Sequence, residues 1–208
     1  MTLPVLTSED FAVFQIAGLE NRMESLKRQI RPKFEIIGEQ MSPFLTMLVQ
    51  EPVSVHIAKH ARRTVNPPEE TWLAWSTNKR GYKAHPHFQF GLRDTYAFIW
   101  FALIYECQQK SSFARNLKSQ FDQVWHQIPD TFYISQDHTK DEVIQKKEMN
   151  DEQVHKMLDR LEKVKKAEFL CGQVISRQEA TQLNGEQLLK KIESTFQTVH
   201  PLYQLSFV

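Results

Sequence analysis

The chain has 208 residues, 41% hydrophobic and 25% charged, with a formal net charge of +1. That is an ordinary globular balance, long enough to bury a core without staples, and it excludes a molecule that binds by bulk charge. Cys107 and Cys171, the two cysteines, lie too far apart for a paired-cysteine metal motif or a disulfide framework. They read as buried free thiols in a reducing compartment.

The first fifty residues predict helices. Thr7 and Asp10 have capping-box spacing ahead of Phe11 and Phe14. Leu19, Met23, Leu26 and Ile30 recur at helical spacing, and Pro32 opens a new segment that Phe34, Ile37, Met41, Leu45 and Leu48 continue. Ser42-Pro43 is expected to break or kink it.

Strands follow. Val53, Val55 and Ile57 alternate with Ser54, His56 and Ala58. The run 71–77 places Trp72 and Trp75 on opposite faces of a strand. Phe88, Phe90 and Leu92 alternate against His87, Gln89 and Gly91, and the β-branched and aromatic content of 96–105 favours a buried central strand, with a buried helix as the alternative. That apolar run is too short to span a bilayer, and the N-terminus lacks the pattern of a signal peptide, so a cytoplasmic protein is expected.

The second half mixes elements. Phe113, Leu117, Phe121, Val124 and Ile128 form one helical stripe ending at Pro129. Phe132, Ile134 and Gln136 suggest a strand, and 138–148 a mobile polar loop. Asn150 and Gln153 cap a helix whose outer face offers Glu152–Lys156, Asp159–Lys163 and Glu162–Lys166 pairs. A strand at 169–176 and a last helix stopped by Pro201 complete the pattern. The whole reads as one α+β domain over 1–208: helical about 7–50, strand-rich about 53–106, then mixed, with a largely antiparallel or mixed sheet of five or six strands.

Charge is uneven. Between His56 and His87, six cations (Lys59, Arg62, Arg63, Lys79, Arg80, Lys83) face two carboxylates (Glu69, Glu70), a local balance of +4 that leaves −3 for the rest. The connection Lys79-Arg80-Gly81-Tyr82-Lys83 joins two strands, and Gly81 is expected to take a positive φ in a tight turn. Turn amides with Lys and Arg suit a phosphate or carboxylate. His85 and His87, two apart, would share a strand face as hydrogen-bond donors or as a ligand pair lacking a third partner. His56 and His60 have a helical ligand spacing in a strand context, and Asp137, His138 and Glu142 sit in a loop able to supply a ligand. No HExxH motif, P-loop or Gly-x-Ser-x-Gly elbow is present. Glu69–Glu70 and Asp141–Glu142 read as solvated loop pairs. Trp72, Trp75, Phe88, Phe90 and Tyr96 have the spacing of base-stacking residues, against their more usual place in a core.

Thr71-Trp72-Leu73-Ala74-Trp75-Ser76, the following 78–83 segment, Pro86-His87-Phe88-Gln89-Phe90-Gly91-Leu92, and the N-terminal Phe11-Ala12-Val13-Phe14 together resemble the YktB-like family of single-domain proteins from Bacillus and related bacteria. The resemblance implies an α+β fold and a cytoplasmic bacterial protein. It carries no activity, cofactor or catalytic residue, so no site residue transfers from it. The residues themselves lead to a binding protein for an anionic small molecule or nucleic acid, through Lys79, Arg80, Gly81, Tyr82, Lys83, His85, His87, Arg62 and Arg63. An enzyme using His85 and His87 beside the same segment, or a protein-interaction module, are the alternatives. No metal site or membrane is expected, and cofactor and oligomeric state stay open.

Overall fold

The computed structural model describes residues 3–207. The Thr7 backbone N–H donates to Asp10 Oδ2 at 2.7 Å, and α1 (Ser8–Ala12) starts there. Helix α2 (Leu19–Ser25) follows, then a wider π-helical turn at Leu26–Ile30, then α3 (Arg31–Val49), which ends at Gln50 in the left-handed conformation.

Pro43 does not break α3, and Pro201 does not stop α8 (Gly185–Gln204). Each proline removes one N–H and orphans the carbonyl four residues earlier. Those carbonyls belong to Glu39 and Gln197, both exposed residues, so water can replace the lost bond.

Strands β1 (Ser54–Ile57), β2 (Glu70–Ser76), β3 (His87–Arg93) and β4 (Tyr96–Leu103) form a meander. The predicted single helix of 113–128 is three pieces: α4 (Lys110–Ser119), α5 (Phe121–Val124) and a 3-10 turn at Trp125–Gln127. Its stripe is buried throughout; the chain bends at Gln120, where φ and ψ leave the helical range. Two short strands, β5 (Tyr133–Ser135) and β6 (Ile144–Gln145), come next, then α6 (Asp151–Lys163), β7 (Phe169–Ser176) and α7 (Arg177–Ala180). The α6 cap is the expected box, with the Gln153 N–H donating to Asn150 Oδ1 at 2.9 Å. Of the three predicted surface pairs, Glu152–Lys156 forms at 2.6 Å, whereas Asp159 and Glu162 both turn to Lys118 of α4 at 2.7 Å.

The sheet has seven antiparallel strands in the order β1-β2-β3-β4-β7-β5-β6, so the expected five or six is corrected upward by the short β5–β6 pair. The α+β class holds. Among the described residues no helix is long and apolar enough to cross a membrane.

Both faces of the sheet are covered, which is uncommon for antiparallel strands. One face carries Trp75, Phe88, Phe90, Ile99, Phe101 and Cys171 against the helices. The other carries Trp72, Ala74, Tyr96, Phe98, Trp100 and Leu170, and no helix joins that cluster. Loops cover it instead: 58–69, 77–86 and 136–143.

Candidate functional site

Buried loop backbone needs hydrogen-bond partners, and side chains of the second face supply them. His56 on β1 reaches the carbonyl of Asn78 through Nε2 at 3.0 Å. Its ring lies 5.6 Å from that of Tyr82. The indole N–H of Trp72 donates to the Tyr82 hydroxyl at 2.9 Å. Burial pushes the Tyr82 phenol up to about 12, so it stays a neutral hydrogen-bonding group.

Lys79, Arg80 and Lys83 are exposed on the outside of the second loop. Gly81 does not take a positive φ; Gly18 is the one glycine that does so among the described residues. Open space surrounds the Gly81 Cα, so neither backbone nor packing demands glycine there. Asn78 makes the turn instead, its Oδ1 accepting from the Arg80 N–H at 2.8 Å.

Arg62 and Arg63 are exposed on the first loop, where Arg63 Nη1 bends back to the carbonyls of Asn66 and Pro67. The two basic loops are neighbours. His60 is driven down to about 4 by its burial and then by the charges of Arg63, Lys83 and Arg31. It therefore stays neutral, with Nε2 3.1 Å from the Thr71 hydroxyl. Lys59, Arg62, Arg63, Lys79, Arg80 and Lys83 form no ion pair among the described residues.

His85 and His87 do not form a ligand pair. His87 is fully buried, its Nδ1–H donates to the His85 carbonyl at 2.8 Å, and its Nε2 accepts from the Gln89 amide at 2.8 Å. Desolvation lowers its pKa to about 3, which removes it from acid–base work near neutrality. His85 lies half-buried in the loop and contributes its carbonyl. The base-stacking alternative also lacks a surface: Trp75, Phe88 and Phe90 are in the helix-side core, and Trp72 and Tyr96 are each only 9% exposed.

The third loop brings His138, a candidate ligand by sequence, to Glu168, which the sequence leaves unassigned. The Glu168 carboxylate, just before β7, accepts from the backbone N–H groups of Tyr105 at 3.0 Å and His138 at 2.7 Å. His138 Nδ1 lies 2.8 Å from the same carboxylate. Burial works against the imidazolium, but the Glu168 hydrogen bond and charge outweigh it, and the pKa of His138 is raised. Glu70, expected in a solvated pair, is buried on β2 and ion-paired to Arg93 of β3 at 2.8 Å. Burial pushes its carboxyl up to about 7, with Arg93 opposing. The alternation that puts Glu70 two residues from Trp72 is the sequence signal for its face. The site of Arg93, at the end of β3 opposite Glu70, requires the register.

Asp137, His138 and Glu168 are the only described residues that gather three metal-ligand types, with ligand atoms within 4.8 Å. Each is already used in holding the loop. Asp137 Oδ1 accepts from the Thr139 N–H and hydroxyl, and Glu168 takes three N–H donors. The contact of His138 Nδ1 with Glu168 is a hydrogen bond, not a chelate. Cys107 and Cys171 are free and buried, and burial pushes their thiols up to about 11 and about 12. Neither is a nucleophile at neutral pH.

The family model described as "Domain of unknown function (DUF1054)" matches residues 6–203. A UPF0637 protein of Bacillus mycoides (strain KBAB4) is 50% identical over 205 residues, spanning 99% of both chains. UPF0637 proteins of Bacillus thuringiensis (strain Al Hakam) and Bacillus cereus (strain AH820) match equally well, at 50% over the same length. None of these names states an activity.

Proposed function

From a chain that belongs to the DUF1054 family and matches its Bacillus relatives over 99% of each chain, we propose a binding protein for a phosphorylated small molecule, held between the loops 58–69 and 77–86. The observation that carries this reading is the set of six exposed cations on two adjacent loops, none of them ion-paired among the described residues. Paired cations are already neutralised; these are available, and an anion between them would gain charge-assisted hydrogen bonds. Lys83 and Arg63, whose charges both bear on His60, are the closest candidates, with Arg62, Lys79 and Arg80 as the outer ring. Tyr82 and the buried histidines form the wall behind them. A phosphorylated metabolite fits better than a nucleic acid because the aromatic side chains of this face are buried under the loops. The free thiols suit a protein of the cytoplasm.

The test is isothermal titration with pyrophosphate, a sugar phosphate, ATP and a short single-stranded oligonucleotide. Binding of a phosphate compound that weakens about a hundredfold or more in a Lys83→Ala/Arg63→Ala variant supports the reading, since each charge-assisted bond contributes about 1.5–3 kcal/mol. Binding of the oligonucleotide alone would replace the ligand class. No heat from any of the four, or binding indifferent to both substitutions, would turn attention to a protein partner.

A further inference from the structure

Strand β1 ends the sheet, with β2 on its inner side. The Ala58 N–H donates to the Trp72 carbonyl at 2.9 Å, so the ladder runs one residue past the strand. Alternate residues of an antiparallel strand turn their backbone groups to the same neighbour. Ser54, His56 and Ala58 therefore serve β2, and Val55 and Ile57 turn their N–H and C=O groups outward. Edge strands are commonly guarded by charge, by proline or by being very short. The opposite edge, β6, is two residues long and runs into Lys146 and Lys147. β1 has no lysine or proline within it, and Val55 is 37% exposed.

An open groove of about 340 Å³ runs beside this edge, lined by Val55, Ile57 and Lys59 and by Arg31, Glu35 and Glu39 of α3. The helix lies over the β1–β2 pair. The Trp75 indole N–H donates to the Gly38 carbonyl at 3.2 Å, and a Cβ on Gly38 would lie 2.7 Å from Val55 Cγ1 and 3.4 Å from Leu73. Arg31 lies at the other end, beside Ile57 and Ala58, so α3 runs opposite to β1. Arg31 and Lys59 make one end of the groove positive, and Glu39 makes the Val55 end negative, with Glu35 between them. None of these four groups forms an ion pair among the described residues.

We propose that two copies of this chain join edge to edge through β1, antiparallel about a two-fold axis, merging two seven-stranded sheets into one. Val55 and Ile57 of each copy supply the backbone partners that the other copy's edge needs. A two-fold axis sets each end of the groove against the opposite end of its copy. Arg31 of either chain then faces Glu39 of the other, so the unpaired charges are self-complementary. The two Glu35 side chains meet near the axis with an arginine on either side. Paired strands lie about 4.8 Å apart, so helices seated over the β1–β2 pair of each copy come about 10 Å apart, which is helix-packing distance. The dimer goes beyond the anion reading and does not depend on it.

Sedimentation velocity from about 1 to about 200 µM reads the assembly. The wild type is expected to reach twice the mass of one chain. Val55→Pro removes an outward N–H and leaves the β2 ladder intact, and is expected to stay monomeric. Glu39→Lys sets like charges together at both ends of the interface, and the dissociation constant is expected to rise about tenfold or more. Arg31→Glu is expected to do the same, and Arg31→Glu/Glu39→Lys, which exchanges the two signs, to restore association. A wild type that stays monomeric over the whole range overturns the proposal. So does a dimer indifferent to Val55→Pro, or one indifferent to both single reversals. If circular dichroism shows that Val55→Pro does not fold, the charge series decides: single reversals without effect, or a double variant that does not recover, overturn the two-fold pairing.

Discussion

Trp72 on β2 donates its indole N–H to the Tyr82 hydroxyl at 2.9 Å, a fully buried bond that joins those of His56 and His87 in tying the basic connection to the sheet. The same indole ring meets His60 from the first loop at 5.6 Å and His138 from the third at 6.0 Å. Three loops thus meet at one side chain. Tyr82→Phe removes the acceptor and leaves a buried N–H unpaired. Stability measured by urea unfolding is expected to fall by about 1–3 kcal/mol. An unchanged midpoint would mean that the loop is held elsewhere.

His87 is buried neutral, and its pKa is depressed from the usual value to about 3. The unfolded chain binds a proton there below about pH 6.5 and the folded chain does not, so stability contributed by this group is present above pH 6.5 and falls with pH below it. The loss between pH 6.5 and pH 5 is about 2 kcal/mol. His87→Gln, which cannot ionise, should show a shallower decline in unfolding free energy over that window. Equal slopes for the two proteins would contradict the buried neutral ring.

Glycine matters in the sheet and not in the basic turn. A Cβ on Gly172 would lie 1.9 Å from the Ile99 carbonyl oxygen, and one on Gly91 would lie 2.2 Å from Phe98 Cζ. At Gly81 it would meet nothing within 4 Å. Gly81→Ala is expected to change stability by less than about 1 kcal/mol. Gly172→Ala must push β4 and β7 apart and is expected to cost more than about 3 kcal/mol, or to prevent folding. Thermal melts of the two variants give the comparison directly.

The buried Glu70–Arg93 pair makes a pH-dependent prediction. Arg93→Met leaves Glu70 without its counter-charge, a loss of about 3–5 kcal/mol where the carboxylate is ionised. The Glu70 pKa is raised to about 7 with Arg93 in place and rises further without it. The penalty should therefore shrink at acid pH, where Glu70 is protonated and its burial costs little. The Glu70→Gln/Arg93→Met double variant should recover most of the stability at neutral pH. A penalty that is the same at pH 5 and pH 8 would show that the charge plays no part.

Local chemistry made much of the architecture legible. The alternation that separates Trp72 from Trp75 sends one to the loops and the other to the helices, as the structure has it. The Asn150 cap and the strands at 87–93, 96–103 and 169–176 were equally readable. Proline signals misled at Pro43 and Pro201 because a helix survives a missing N–H when the orphaned carbonyl is on the wet side. The site was less legible, because its groups meet only through pairing. Glu70 and Arg93 become partners through the β2–β3 register, and His138 and Glu168 come together across 30 residues of chain. Neighbouring letters could show that Glu70 was charged, but not that its strand would be buried on both faces.

The place of β7 beside β4 has a kinetic meaning. The meander β1–β4 joins strands that follow one another, so its closures are short. β7 reaches β4 only after residues 104–168 have been passed, and eight residue pairs then form in one ladder. Such a long-range closure carries most of the entropic cost before its contacts reward it. Refolding is expected to be limited by that docking step. Gly172, with no side chain to hold the two strands apart, would then govern the speed of folding as well as the depth of the native state.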